Sequence, residues 1–265
     1  MLTVLSPAKK LDYQTSVKTS DYTQPELLSH SAELIPSCQS LSAQEIGSLM
    51  KISPKLAETN YQRFQDWQLP FTPQNARQAI FAFNGEVYEG LHVKDFSHDD
   101  LTFAQHHLRI LSGLYGVLKP LDLMQPYRLE MGTKLKNGHN SNLYQFWGDT
   151  ITEVLNQTLA QHSHQDLINL ASHEYFKSVN LKKLQGNLIS PVFLDEHKGD
   201  YKIIGFYAKR ARGLMSRYII KHQLDKAHDI QSFNLAGYQF DAMRSTDVEW
   251  VFTRSEQQAE HHKNH

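Results

Sequence analysis

The 265-residue sequence has a single cysteine, Cys38. One thiol cannot form an internal disulfide, and it excludes any all-cysteine metal site. No run approaches the ~18 apolar residues of a membrane span, and the opening MLTVLSPAKK lacks the basic-then-apolar order of a secretion signal. A cytoplasmic setting with no membrane partner is the expectation. An excess of one charge is also missing: 27 Lys and Arg face 28 Asp and Glu, leaving a net charge of −1. An overtly basic nucleic-acid binder would lie well above that balance, so any polyanion surface must gather its cations locally. Repeats, low-complexity tracts and long linkers are absent too.

What is present is enough apolar material, 40% of the chain with 11% aromatics, for one sizeable core. LTVLSPA alternates as an opening strand. Ser42 and Glu45 predict a capping box, with Leu41 set to staple against Ile46. Ser53 followed by Pro54 predicts a second helix start, and Thr72-Pro73 a third of the same kind that turns β-like through Phe81 and Phe83. Ser97 opens a helix that becomes strand-like near Ile110. Phe146, Ile151, Val154, Leu155 and Leu159 recur at helical spacing. DLINLAS reads as a buried strand, Lys198-Gly199-Asp200 as the turn of a hairpin, residues 207–224 as a helix, and GYQFDAM with VEWVFTR as a closing strand pair. The expected architecture is a single α/β domain over residues 1–254, a mixed β-sheet with flanking helices. Residues 255–265 read as a disordered tail.

From Tyr207 to Lys221 there are five basic residues and no acidic one. Ala211, Leu214, Met215, Tyr218 and Ile219 gather on one side of this helix as a core face. Arg210, Arg217 and Lys221 form a neighbouring row, flanked by Lys209 and Arg212. A solvated face ordinarily mixes signs to gain helical ion pairs. With no acid inside the helix, an outside anion is the expected counter-charge, and the planar fork of arginine suits phosphate oxygens. Gly213 costs up to ~1 kcal/mol relative to alanine inside a helix; close approach of another backbone, or a kink, would account for it.

Residues 112–132 read SGLYGVLKPLDLMQPYRLEMG. Gly113 and Gly116 bracket Tyr115 in a turn that resembles the hairpin of helix-hairpin-helix DNA binders, where backbone N–H groups approach a phosphate directly. A structural turn needing positive φ accounts for the glycines equally well. Lys119 and Arg128 follow close behind. Tyr115 or Tyr127 could stack on an unpaired base, or pack in the core with a satisfied hydroxyl.

Two other chemistries compete. Glu130 lies in the same stretch, and Glu174, Asp195 and Glu196 stand near strand ends; paired carboxylates beside a DNA groove would suit a glycosidase- or nuclease-like reaction. Glu130 is the catalytic candidate of that reading, although no spacing forces two of these acids together. Direct iron chelation is the other. The 15 histidines are scattered, and neither HExxH nor two histidines with a carboxylate stand out. No metal site and no cofactor are assigned. Cys38 has no basic neighbour to lower its pKa and reads as a buried or neutral thiol.

SPAKKLDY, LSGLYGVLKPLDLMQPYRLEMG, LYQFWGD, EYFKSV, PVFLDE and FYAKRARGLMSRYII, in this order, resemble the bacterial peroxide-stress protein family, YaaA. The resemblance covers residues 1 to about 254. It implies a cytosolic α/β protein with a positively charged cleft and a helix-hairpin-helix element. It also implies DNA binding and a role in limiting the damage that iron and hydrogen peroxide do to DNA. Carried over, it puts the glycine turn at Gly113 to Leu118 beside Lys119 and Arg128, the basic helix at Lys209, Arg210, Arg212 and Arg217, and the first loop at Lys9. His173 departs from the pattern where an acid or amide is expected, which weakens a metal or acid role there, and the tail EHHKNH lies outside it. The expected partner is therefore double-stranded or distorted DNA, bound through phosphates with little sequence specificity. The alternative is an enzyme acting on damaged or unusual DNA or nucleotides. No oligomeric state is legible.

Overall fold

Leu2–Leu5 form the strand (β1) around which the molecule is organised, and all four residues are buried. That is what a strand with neighbours on both edges and covering layers on both faces requires. The computed structural model describes residues 1–17 and 19–261. The other strands of the main sheet are Leu108–Ser112 (β2), Gly116–Leu118 (β3), Asp166–Leu170 (β4), Asn187–His197 (β5), Asp200–Lys202 (β6), Gln239–Phe240 (β7) and Glu249–Arg254 (β8). Their spatial order is β7-β8-β5-β4-β1-β2-β3, with β6 paired to β5, so the sheet has eight strands. Five of them, β8, β5, β4, β1 and β2, run parallel; β3, β6 and β7 are antiparallel to their neighbours. The chain leaves β1 toward β2 on one side and leaves β4 toward β5 on the other. Such a reversal opens a crevice outside the carboxyl ends of the two adjacent strands.

Three helices begin at the capping residues Ser42, Ser53 and Ser97 that the sequence offers. Leu28–Gln39 (α1) is followed by Ala43–Met50 (α2), where Ser42 and Glu45 form the reciprocal box. Pro54–Asp66 (α3) starts with Ser53 accepting from the Leu56 amide. The region after Thr72-Pro73 differs from expectation. Thr72 only closes a turn, and a single helical turn, Ala79–Ala82, lies between two-residue ribbons. The reason is that the Ala79 and Ile80 amides donate to the Asp122 and Pro120 carbonyls, outside any helix of their own. Glu86–Leu91 (α4) and His98–His107 (α5) come next, the latter with Ser97 and Asp100 as a second capping box. Leu143–Trp147 (α6) and Thr150–Leu159 (α7) are two helices rather than one, broken at Gly148, whose φ is 48°. His173–Phe176 (α8) is a single turn, and Gly205–Lys221 (α9) is the longest helix.

Gly213 is explained by packing, not by a kink. A Cβ there would overlap the Val87 carbonyl, and one at Gly90 would overlap the Arg210 carbonyl, so α4 and α9 cross in backbone contact. The tail also departs from expectation. Glu256–His261 (α10) is helical, tied to the β5–β6 hairpin where the Lys198 amide donates to Glu256 Oε1 at 2.8 Å; residues 262–265 lie outside the described residues. Among the described residues no helix is long and apolar enough to cross a membrane.

Candidate functional site

A cavity of about 640 Å³ opens at the carboxyl ends of β1 and β4. Ser6, the residue after β1, and Ser172, two residues beyond β4, meet there because Leu5 and Leu170 are in register across the parallel pair. The Ser172 amide donates to Ser6 Oγ at 2.8 Å, and the two hydroxyls lie 3.3 Å apart. Tyr88 of α4 donates its hydroxyl to the Ser6 carbonyl at 3.0 Å, holding the post-β1 turn in place. Lys9 and Lys10 continue that turn along the rim. Lys209 and Arg212 project from α9, and residues 127–130 supply the facing wall.

Five cationic side chains line this cavity, Lys9, Lys10, Arg128, Lys209 and Arg212, against four carboxylates, Glu86, Glu89, Glu130 and Glu174. The wall is thus of mixed sign, and the ion pairs decide which cations are spare. Glu130 bridges Lys9 at 2.9 Å and Arg128 at 3.2 Å. Arg128 still has its buried Nε without a hydrogen-bond partner among the described residues. Glu174 accepts the Gly132 amide at 2.9 Å, which anchors the 130–132 loop to the segment after β4. Arg212 is half-buried, and withdrawal from water lowers its pKa with no carboxylate opposing that shift. A guanidinium in that setting is a ready acceptor-seeking group for an anion.

The structure brings together Lys9, Arg128, Lys209, Arg212 and Glu130, and it separates the rest. Gly113, Tyr115 and Gly116 sit in the turn between β2 and β3, a β-hairpin and not a helix-hairpin-helix element. They are buried. A Cβ on Gly113 would overlap the Leu129 carbonyl, Gly116 has φ +67° with the Trp147 ring above it, and Trp147 Nε1 donates to the Gly113 carbonyl at 3.0 Å. Tyr115 accepts from Trp67 Nε1 and donates to the Gln125 carbonyl, while Tyr127 shares a 2.6 Å bond with Ser112. The turn therefore serves the core, and its amides do not face an outside phosphate.

The basic helix is corrected as well. Arg217 makes two bonds to Asp95, at 2.6 and 2.7 Å, and Lys221 reaches Asp100 at 2.6 Å. The acids absent from the helix come from the segment before and at the start of α5, so this end of α9 needs no outside anion. Arg210 does not line the cavity. Lys119 lies 3.8 Å from Glu26, away from the site. Asp195 and Glu196 are likewise elsewhere, Asp195 being buried against Arg254 and Tyr238.

A family model described as the peroxide stress protein YaaA matches residues 1–244. The chain belongs to the peroxide stress protein YaaA family.

In this YaaA-family chain the sequence reading missed Ser6, Lys10 and Ser172. Ser6 and Ser172 follow strands of the main sheet, and ligand sites of α/β sheets gather at strand carboxyl ends, while Lys10 belongs to a two-residue ribbon paired with Phe83–Asn84. That signal was present in SPAKK and ASHEY, but only the strand order shows that the two turns meet. Among the described residues no group of three His, Cys, Asp or Glu side chains is placed to hold a metal ion.

Proposed function

We propose that this protein acts in the peroxide-stress response by binding DNA through its phosphates at the switch-point cavity, limiting iron- and peroxide-driven damage to the strand. The observation that carries this reading is Arg212, a half-buried guanidinium lining the cavity with no carboxylate partner among the described residues. Lys209 from the preceding turn of α9 has no ion pair among the described residues either. An incoming phosphate would take the bonds these groups leave open and compete with Glu130 for Lys9 and Arg128. Phosphate contacts carry no sequence information, which fits binding of low sequence specificity.

The test is duplex binding by fluorescence anisotropy during a potassium chloride titration. Four engaged cations, Lys9, Arg128, Lys209 and Arg212, give a log–log slope of about −3.6, so affinity falls roughly 150-fold between 50 and 200 mM salt. Arg212→Met and Lys209→Gln should each make the slope shallower by about 0.9. No association at 50 mM salt, or slopes untouched by both variants, would overturn the proposal.

A second reading, an enzyme acting on damaged or unusual DNA or nucleotides, is favoured by one observation: Glu130 and Glu174 line the same cavity as the cations. Cleavage of nicked, mismatched or abasic duplexes, with loss of turnover in Glu130→Gln, would replace binding with catalysis as the main activity.

A further inference from the structure

A second cavity, about 880 Å³, lies beside the first, and Asn84 and Glu89 line both. Its volume falls within the ~300–1,000 Å³ of small-molecule sites, which are mostly apolar with a few convergent polar groups. The apolar lining comes from the one-turn helix, the ribbon after it and α4, as Ile80, Phe81, Phe83 and Tyr88, together with Phe96 and Leu101. Phe83 is buried and packs its ring against Tyr88 and Tyr127. Phe96 already lies beneath the Lys221 ammonium at 5.2 Å and the Arg217 guanidinium at 5.9 Å. Phe81 differs from both. It is half-buried, and its ring meets no other aromatic ring among the described residues.

Two polar groups reach the same space. Arg77 donates Nε to the Phe81 carbonyl at 3.3 Å, and its two terminal amino groups find no acceptor among the described residues. Asp12 takes the Gln14 and Thr15 amides on Oδ1, both at 2.9 Å. With the Thr15 hydroxyl these bonds hold its carboxyl down to about 2, so it is ionised and acceptor-only at neutral pH. An open ring face, an arginine fork and a carboxylate are the groups that recognise a nucleobase by stacking and by its hydrogen-bonding edges.

We propose that this cavity seats a nucleobase, so that the unit recognised across the two cavities is a single nucleotide with its phosphate at Arg212 and its base at Phe81. The inference rests on the phosphate-binding reading above and names the ligand of that same site. It also sets the form of the DNA. A base taken into a cavity leaves its neighbours in the stack and its pairing partner, so the nucleotide must be unpaired or turned out of the duplex.

Equilibrium dialysis of the full-length protein against guanosine 5′-monophosphate and ribose 5-phosphate separates the two contributions. The nucleotide should bind about tenfold more tightly than the sugar phosphate, the lower part of what stacking on an aromatic ring supplies. Phe81→Ala and Arg77→Gln should each bring the nucleotide toward the sugar-phosphate affinity while leaving ribose 5-phosphate unchanged. Arg212→Met should weaken both ligands. Thermal melting of each variant confirms that it is folded. Equal affinity for the two ligands in the unaltered protein, or nucleotide affinity indifferent to both Phe81→Ala and Arg77→Gln, overturns the base cavity and leaves the phosphate reading standing. Failure to bind ribose 5-phosphate and duplex alike would remove both.

Discussion

Among the individual residues, burial decides which titratable groups are available for chemistry. Cys38 is buried, and exclusion of water pushes its thiol up to about 12. It is therefore protonated at neutral pH and a poor target for peroxide, whose reactive partner is the thiolate. Asp122 is also buried, accepting from the Thr23 hydroxyl at 2.6 Å and the Lys119 amide at 2.7 Å. Burial raises its carboxyl to about 6, above the 3.8 of an exposed aspartate. A raised carboxylate favours the fold most when protonated, so its contribution is complete below about pH 4 and is lost as pH rises through about 6. Thermal unfolding compared between the unaltered protein and Asp122→Asn should show that loss as a shrinking difference from pH 4 to pH 7, on the order of 2 kcal/mol. A difference that grows with pH would mean that the two hydrogen bonds to the ionised form outweigh desolvation.

Helices and strands obey local chemistry until another element supplies a better partner. The capping boxes at Ser42 and Ser97 form as their side chains dictate. So does the β5–β6 turn, where Lys198 at φ 55° and Gly199 at φ 86° make the tight reversal. Thr72-Pro73 fails to start a long helix because residues 120–122 capture the backbone that follows. Gly213 illustrates the same dependence in packing, since its missing side chain admits α4 and not a bend. Gly213→Ala should cost at least ~2 kcal/mol in urea unfolding, because the new methyl meets backbone that cannot rotate away. It should also lower anion affinity, since α9 carries Lys209 and Arg212. An alanine variant of unchanged stability would show that α4 and α9 separate at little cost.

For the molecule as a whole, near-neutral charge hides an uneven placement of cations. Arg217 and Lys221 are answered by Asp95 and Asp100, and Lys119 has Glu26 nearby, whereas Lys10, Lys209 and Arg212 have no carboxylate partner among the described residues. Two arginines five residues apart on one helix thus have different surroundings, although the sequence presents them alike. Arg217→Gln should leave the salt slope of duplex binding unchanged within experimental error, in contrast to Arg212→Met. Since Arg217 ties α9 to the segment between α4 and α5 through Asp95, its loss should appear as a modest fall in stability instead. A shallower slope in Arg217→Gln would extend the binding surface beyond the cavity.

Much of this protein was legible one segment at a time. The helix starts at Ser42, Ser53 and Ser97 depend on a capping side chain within three residues, and the strands β1, β4, β5 and β8 on short apolar runs, so local sequence determined an α/β chain on a mixed sheet. The basic character of α9 was equally plain. Tertiary structure alone decided that the glycine turn at 113–116 is a buried hairpin, that Arg217 is neutralised by Asp95, and that the turns after β1 and β4 meet. Each of those outcomes depends on residues distant in sequence, 16 positions away for Gly113 beneath Leu129 and more than a hundred for Ser172 on Ser6. Hydrogen bonding and packing at such separations leave no periodicity in the chain, because their energy comes from strand order and not from neighbours in sequence.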